Sequence, residues 1–289
     1  WHASTQPFCA KNRSRAVAHY NGKLEAPSVH ARALTDTEIS AVLTDGEPIA
    51  GDALVAAWDF SRAMSGTDIV DVGQEGRHGI AVNMPARAMK GRRWDGTEYN
   101  YSHRPEHYAA IHFHDDDVHD CGWQTDFTWP VPDETPSGLY AARIDCAGTR
   151  DWVPFVVRPP VGTADAPLAL LLPSASYWAY ANRHTVIDFR GREHVRAAFS
   201  AVDPTGLYLH HHPELGLSMY DEHSDGSGVC YSSRLRPILS MRPDEGLWQL
   251  PADTHITDWL EAMGIAYDVI TDDDLDAHGA ARSEEHTSE

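Results

Sequence analysis

Over much of its first half the chain alternates apolar and polar residues with a period of two, the mark of half-buried strands. Strands are predicted over Arg15–Tyr20, Leu24–Ala31, Ala53–Phe60 and Gly79–Val82, with Asn21-Gly22, Asp45-Gly46 and Asp95-Gly96 as turn dipeptides. One short helix is predicted over Thr35–Leu43, where Thr35 caps and Glu38 sits three residues on. Strand pattern returns over Tyr108–His114, Gln124–Trp129, Gly138–Ile144 and Trp152–Val157, punctuated by Pro132 and Pro136; Pro159 to Gly162 reads as a linker. From Ala166 the texture changes. Leu168–Leu172 is continuously apolar, as in a strand covered on both faces. Thr254–Met263 carries Ile256, Trp259, Leu260 and Met263 at helical spacing, and Gly264 ends it. Tyr267–Ile270 is a second apolar strand, and Asp272–Leu275 opens another helix. Strand, helix and strand with short joins predict an open, mainly parallel α/β sheet. Ligands of such sheets bind beyond the carboxyl ends of the strands, which puts Ser174–Asn182, with Tyr177 and Tyr180, on that rim.

Three domains are expected. Residues 1–100 form a lectin-like β-sandwich: the stretch Tyr20 to Ile39, YNGKLEAPSVHARALTDTEI, resembles the closing strands of laminin-G-like or concanavalin-like jelly rolls, and Trp94-Asp95-Gly96 suits a further sandwich strand. Residues 101–162 read as an immunoglobulin-like β-sandwich. Residues 163–281 begin a Rossmann-like α/β domain. The last residues, RSEEHTSE from 282 to 289, resemble a translated sequencing adapter and are expected to be a non-native tail. A start at Trp1 without Met is what a fragment would show.

Composition narrows the function classes. The apolar fraction of 42% and nine tryptophans fit globular domains, and no apolar run approaches the ~20 residues that span a bilayer. With 23 basic and 43 acidic residues the net charge is −20, which repels phosphate backbones, so nucleic acid is not an expected partner. Four cysteines without a CxxC spacing make neither a thiolate zinc site nor a disulfide framework, and a reducing cytoplasm is the expected setting.

Chemistry concentrates between His210 and Pro237, HHHPELGLSMYDEHSDGSGVCYSSRLRP, where four histidines, four acids and two tyrosines surround a flexible SDGSG. The SDGSG loop lacks the lysine and spacing of a phosphate cradle, and no G-x-S-x-G nucleophile elbow occurs. His112 and His114 share one face of a strand that runs into Asp115-Asp116-Asp117, so they either grip a metal together or end a strand in a solvated acidic turn. His210-His211-His212, taken as extended, point in different directions, so at most two could serve one ion. Tyr177, Tyr180 and Tyr220 are either core side chains or hard phenolate donors for a highly charged cation.

SYWAYAN (176–182), HHPELGLSMYDEHSDGSGVCYSSRLRP (211–237) and ADTHITDWLEAMGIAYDVITDDDL (252–275) resemble the large (beta) subunit of the N,N-dimethylformamidase family. IHFHDDD (111–117) with Ser137-Gly138-Leu139-Tyr140 is similar to its middle sandwich. The resemblance covers roughly residues 15–281 in order. It implies an amidohydrolase that cleaves a small formamide to amine and formate with mononuclear non-heme iron (Fe3+), held by two tyrosines and one glutamate. The AYAN tyrosine matches Tyr180 and the YDxHSDGSG tyrosine matches Tyr220, with Tyr177 as an alternative for the first. The glutamate belongs to a later His-Pro-Glu-Tyr segment beyond this chain and is not carried onto Glu214, so the chain by itself is expected to be inactive. His223 and Asp225 are the candidates for orienting Tyr220 or a water. A small companion subunit is the implied partner. The rival reading is a carbohydrate-binding or non-catalytic interaction protein built on the β-sandwich domains.

Overall fold

The computed structural model describes residues 19–183, 204–244 and 248–279. The start of the predicted strand at Arg15 and the tail from 282 lie outside them. The chain divides into two compact units. The first takes the described residues up to Gly122 together with 214–216 and 222–231; the second takes 123–213, 217–221 and 232 onward. Among the described residues no helix is long and apolar enough to cross a membrane.

The first unit is built from β1 (Gly22–Glu25), β2 (Ser28–His30), α1 (Asp36–Asp45), β3 (Leu54–Asp59), β4 (Asp68–Asp71), β5 (Gly79–Ile80), β6 (Ala86–Met89) and β7 (Ala110–Phe113). They form two antiparallel sheets in the orders β1-β7-β6 and β2-β3-β4-β5. The predicted strand Leu24–Ala31 is split because Ala26 takes a positive φ of 45° ahead of Pro27, sending its two halves to different sheets. Helix α1 starts where its cap predicts: the Glu38 amide donates to Thr35 Oγ1 at 3.3 Å and the Thr35 amide to Glu38 Oε2 at 2.8 Å. Gly46, at φ 68°, closes it in the left-handed conformation. The predicted strand at Tyr108 starts later, because Pro105–Tyr108 is a 3₁₀ turn. Strand β6 escapes pattern reading because Arg87 occupies an inward slot, 8% exposed, where it donates to the carbonyls of Gly66, Asp68 and Arg62.

The second unit holds β8 (Gly138–Cys146), β9 (Thr149–Val157), β10 (Ala169–Leu172), α2 (Ser174–Ala179), α3 (Pro204–His211), α4 (Leu250–Ala262), β11 (Asp268–Thr271) and α5 (Asp272–His278). Strands β8 and β9 form an antiparallel hairpin, while β10 and β11 pair in parallel, as the strand–helix–strand pattern requires. Leu172, Tyr177, Met241, Leu250 and Val269 form its core, with Leu139, Val156 and Tyr267 packed against them. Gln124–Trp129 forms no ladder; Trp123, Phe127 and Trp129 are exposed there, aromatics standing in an irregular segment where a strand is predicted. Helix α4 turns Leu250, Thr257 and Leu260 inward, so three of its four predicted face residues, Ile256, Trp259 and Met263, stand exposed. His210 and His211 end helix α3 instead of lying in an extended segment.

Both units therefore mix helices with sheets, and antiparallel pairing dominates.

Candidate functional site

Two polar centres stand out, one in each unit. In the second unit, Tyr180 follows helix α2 and Tyr220 sits in the loop after Gly216. Their rings stack with centroids 3.9 Å apart and 10° between planes. Trp248 lies 5.4 Å from the Tyr180 ring, and the Arg183 guanidinium stands 5.8 Å from Tyr180 and 5.1 Å from Trp248. Tyr220 is half exposed. Its hydrogen bond to Tyr180, aided by desolvation, raises the Tyr180 phenol above the ordinary tyrosine value, while Arg183 pulls the other way.

The surrounding motif residues hold this pair in place. The Met219 amide donates to Ala179 O at 2.9 Å, tying the two tyrosine segments together. The Tyr220 amide donates to Ser218 Oγ at 3.1 Å, and the Ser218 amide to Asp221 Oδ2 at 2.9 Å. Asn182, fully buried at φ 58°, donates from Nδ2 to Pro237 O at 2.6 Å and accepts from the Leu239 amide at 2.9 Å. Asn tolerates that left-handed backbone better than most residues. Arg236, 3% exposed, donates to Leu217 O at 2.9 Å, Ser233 O at 3.0 Å and Ser232 Oγ at 3.0 Å. The Ser232 hydroxyl in turn donates to Trp178 O at 2.6 Å. Tyr177 faces elsewhere: it is 3% exposed and donates to Asp253, and burial with that contact pushes its phenol well up, so it stays protonated at neutral pH. A cavity of about 380 Å³ beside it is lined by Leu139, Leu172, Met241, Leu250 and Asp273.

The first unit gathers His112, His114, Asp116, Asp117, His223 and Asp225. His112 Nε2 is 2.9 Å from Asp225 Oδ2, and His114 Nε2 is 2.9 Å from Ser227 Oγ. His223 Nδ1 is 2.6 Å from Asp116 Oδ1, and its ring lies face to face with His114 at 3.6 Å. All three histidines are buried. Burial, then the neighbouring His114, lowers the His112 pKa below 6.5. Burial also works against charge on His223, but the Asp116 bond and the nearby carboxylates raise it above 6.5. Burial opposes ionisation of Asp225 too, yet the Ser227 hydroxyl and amide, with the two histidines, bring it down to about 2. Asp117 is held above the ordinary carboxylate value by burial.

These directions fix a pH profile. Asp225, lowered from 3.8 to about 2, adds stability that is complete above pH 3.8 and fades as pH falls through about 2. His112, lowered, adds stability that is lost on acidification through its folded pKa; His223, raised, adds stability present below 6.5 and lost as pH climbs past its folded value. The unfolding midpoint is thus expected to peak near neutrality. Asp225→Asn is expected to flatten the limb between about pH 4 and 2, which thermal melts across that range would show; an unchanged limb would contradict the assigned partners.

Of the residues singled out in the sequence, Tyr180 and Tyr220 come together in one unit, and His223 and Asp225 join His112 and His114 in the other. Sequence reasoning missed the supporting roles of Asn182 and Arg236. The letters AYAN and SRLRP carried that signal, since a buried Asn and a buried Arg at fixed places in a polar block are expensive without partners.

These features define a mixed helix-and-sheet chain with a paired-phenol centre and a separate histidine–aspartate cluster. Residues 84–288 match the family described as N,N-dimethylformamidase beta subunit-like, C-terminal, and the chain belongs to that family. It is 39% identical over 279 residues to the N,N-dimethylformamidase beta subunit of Alcaligenes sp, covering 93% of this chain and 36% of that protein. It is 38% identical over 281 residues to the N,N-dimethylformamidase beta subunit of Paracoccus aminophilus, covering 93% and 37%. The chain thus spans a little over a third of the length of these curated relatives.

Proposed function

We propose that the chain carries two of the iron ligands, Tyr180 and Tyr220, of an amidohydrolase acting on N,N-dimethylformamide or a related small amide. The observation that carries this is the pairing of the two phenols, with rings 3.9 Å apart and Tyr220 open to solvent. Phenolates are hard anionic oxygens suited to a trivalent cation, which would displace the protons of both phenols on binding. Tyr177 suits the role less, because Asp253 keeps its proton in place. When bound, ferric iron would supply Lewis-acid polarisation of the amide carbonyl.

The chain's own residues orient the donors. Arg236, Asn182 and Ser218 hold the tyrosine segments at fixed separation, which matters because a loose donor pair weakens metal binding. His223 and Asp225 anchor the SDGSG loop that directly follows the Tyr220 segment in the chain. The relatives' names as beta subunits support a heteromeric assembly with a companion subunit. The lectin-like, immunoglobulin-like and Rossmann-like domain assignments, at residues 1–100, 101–162 and 163–281, belong to the same proposal. Antiparallel sheets support the first, the β8–β9 hairpin the second and the parallel β10–β11 pair the third, with β7 lying in the β1-β7-β6 sheet and so counted with the first. Formate release from N,N-dimethylformamide by the full-length, iron-loaded protein tests the activity. Release that persists unchanged after complete iron removal would rule the proposal out.

A further inference from the structure

The cluster in the first unit has more metal-binding chemistry than a loop anchor needs, and the tyrosine centre makes no use of it. Among its groups, His112, His114 and Asp225 offer donor atoms that all lie within 4.8 Å of one another, and so do His114, Asp117 and His223. Ring geometry separates the two sets. His114 and His223 are parallel to within 4°, so their in-plane lone pairs run side by side and do not converge on one point. His112 and His114 are tilted by 45° with centroids 4.1 Å apart, so theirs can.

We propose that His112 Nε2, His114 Nε2 and Asp225 Oδ2 form a binding site for one divalent cation of the zinc class. Two imidazoles and one carboxylate are a three-ligand zinc set, leaving a fourth position to water. The two histidines, one in β7 and one just past its end, occupy alternate same-face positions and are both buried, so their rings are already ordered. Asp225 Oδ2 lies 2.9 Å from His112 Nε2 and 3.9 Å from His114 Nε2. Its other oxygen is fixed by the Ser227 amide at 2.9 Å and hydroxyl at 2.6 Å, which aims Oδ2 at the imidazoles. Asp225 is also the exposed member, giving a cation its way in.

An outer partner is in place as well. Asp117 Oδ2 is buried and faces His114 Nδ1 at 3.4 Å. A cation at His114 Nε2 displaces the proton there and puts one on Nδ1, where Asp117 can accept it, completing a carboxylate–histidine–metal relay. His223 stays outside the coordination set, stacked on His114 and bonded to Asp116.

The test is titration of the chelator-stripped chain with Co2+, a coloured stand-in for zinc. One equivalent with visible d–d absorption, displaced by Zn2+, is expected. Asp225→Asn and His112→Gln are each expected to weaken it at least about tenfold, with far-UV circular dichroism showing that both still fold. His223→Gln and Tyr220→Phe are expected to retain that equivalent, the second separating this site from the tyrosine centre. No uptake by the folded wild-type chain would overturn the proposal, as would uptake that survives both Asp225→Asn and His112→Gln or that vanishes with Tyr220→Phe.

Discussion

Tyr220→Phe is expected to leave the full-length protein folded but almost without iron, and to cut formate release by at least about a hundredfold. The substitution removes one oxygen and nothing else. The Tyr220 ring keeps its stack on Tyr180 at 3.9 Å, and the loop keeps its bonds from Ser218 and Asp221, so folding is not at risk. Half-exposed as it is, the Tyr220 hydroxyl contributes little to stability, which makes a loss of iron specific to ligation. Elemental analysis and formate assay of the same preparation decide it. Full iron content with full activity in the variant would remove Tyr220 from the ligand set. Tyr177→Phe is the internal control: it loses the contact to Asp253 but is expected to keep its iron.

Arg236→Met is expected to produce the largest loss of stability in the second unit, about 3–5 kcal/mol. The guanidinium is buried and donates to Leu217 O, Ser233 O and Ser232 Oγ, so its removal strands several acceptors that water cannot easily reach. A lowering of the thermal midpoint by roughly 10 °C follows for a unit of this size. Lysine is not expected to rescue it, since a single ammonium cannot reproduce the planar fork that spans these acceptors. Because Arg236 links the Leu217 segment, which leads to Tyr220, with Ser232, which bonds Trp178 beside Tyr180, iron affinity is expected to fall along with stability. Urea unfolding of the variant measures the first effect. A change under about 1 kcal/mol would mean that these hydrogen bonds are not the clamp described.

How much was legible in the sequence differs from element to element. Helix α1 could be read because Thr35 and Glu38, three residues on, complete a reciprocal cap within one turn. The structure shows the same device at helix α5, in Thr271 and Asp274, which the sequence reading of Asp272–Leu275 did not use. The parallel β10–β11 pair could be read because continuous apolar runs flank an amphipathic helix. Strand Gln124–Trp129 was misread because alternation alone does not supply a partner strand, and the segment forms no ladder. Helix α3 was missed because consecutive histidines carry no helical period. At the candidate site, the block from His210 to Pro237 drew notice for its density of polar groups, and both tyrosines followed from family resemblance. Pairing of His112 and His114 with Asp225, more than a hundred positions later, could not come from spacing at all: only the fold of the first unit brings β7 against the SDGSG loop. Likewise, nothing local in the sequence says that Asn182 accepts from Leu239 or that Arg236 reaches Leu217.

The central claim is that Tyr180 and Tyr220 bind one ferric ion as phenolates. Visible absorption of the iron-loaded full-length protein tests it most directly, because tyrosinate-to-iron charge transfer gives colour that neither apoprotein nor histidine-bound iron produces. A visible band is predicted in the wild type, weaker in Tyr180→Phe and in Tyr220→Phe and absent in the double variant. A colourless iron-loaded wild type, or a band that persists at full strength when both tyrosines are replaced, would contradict the account.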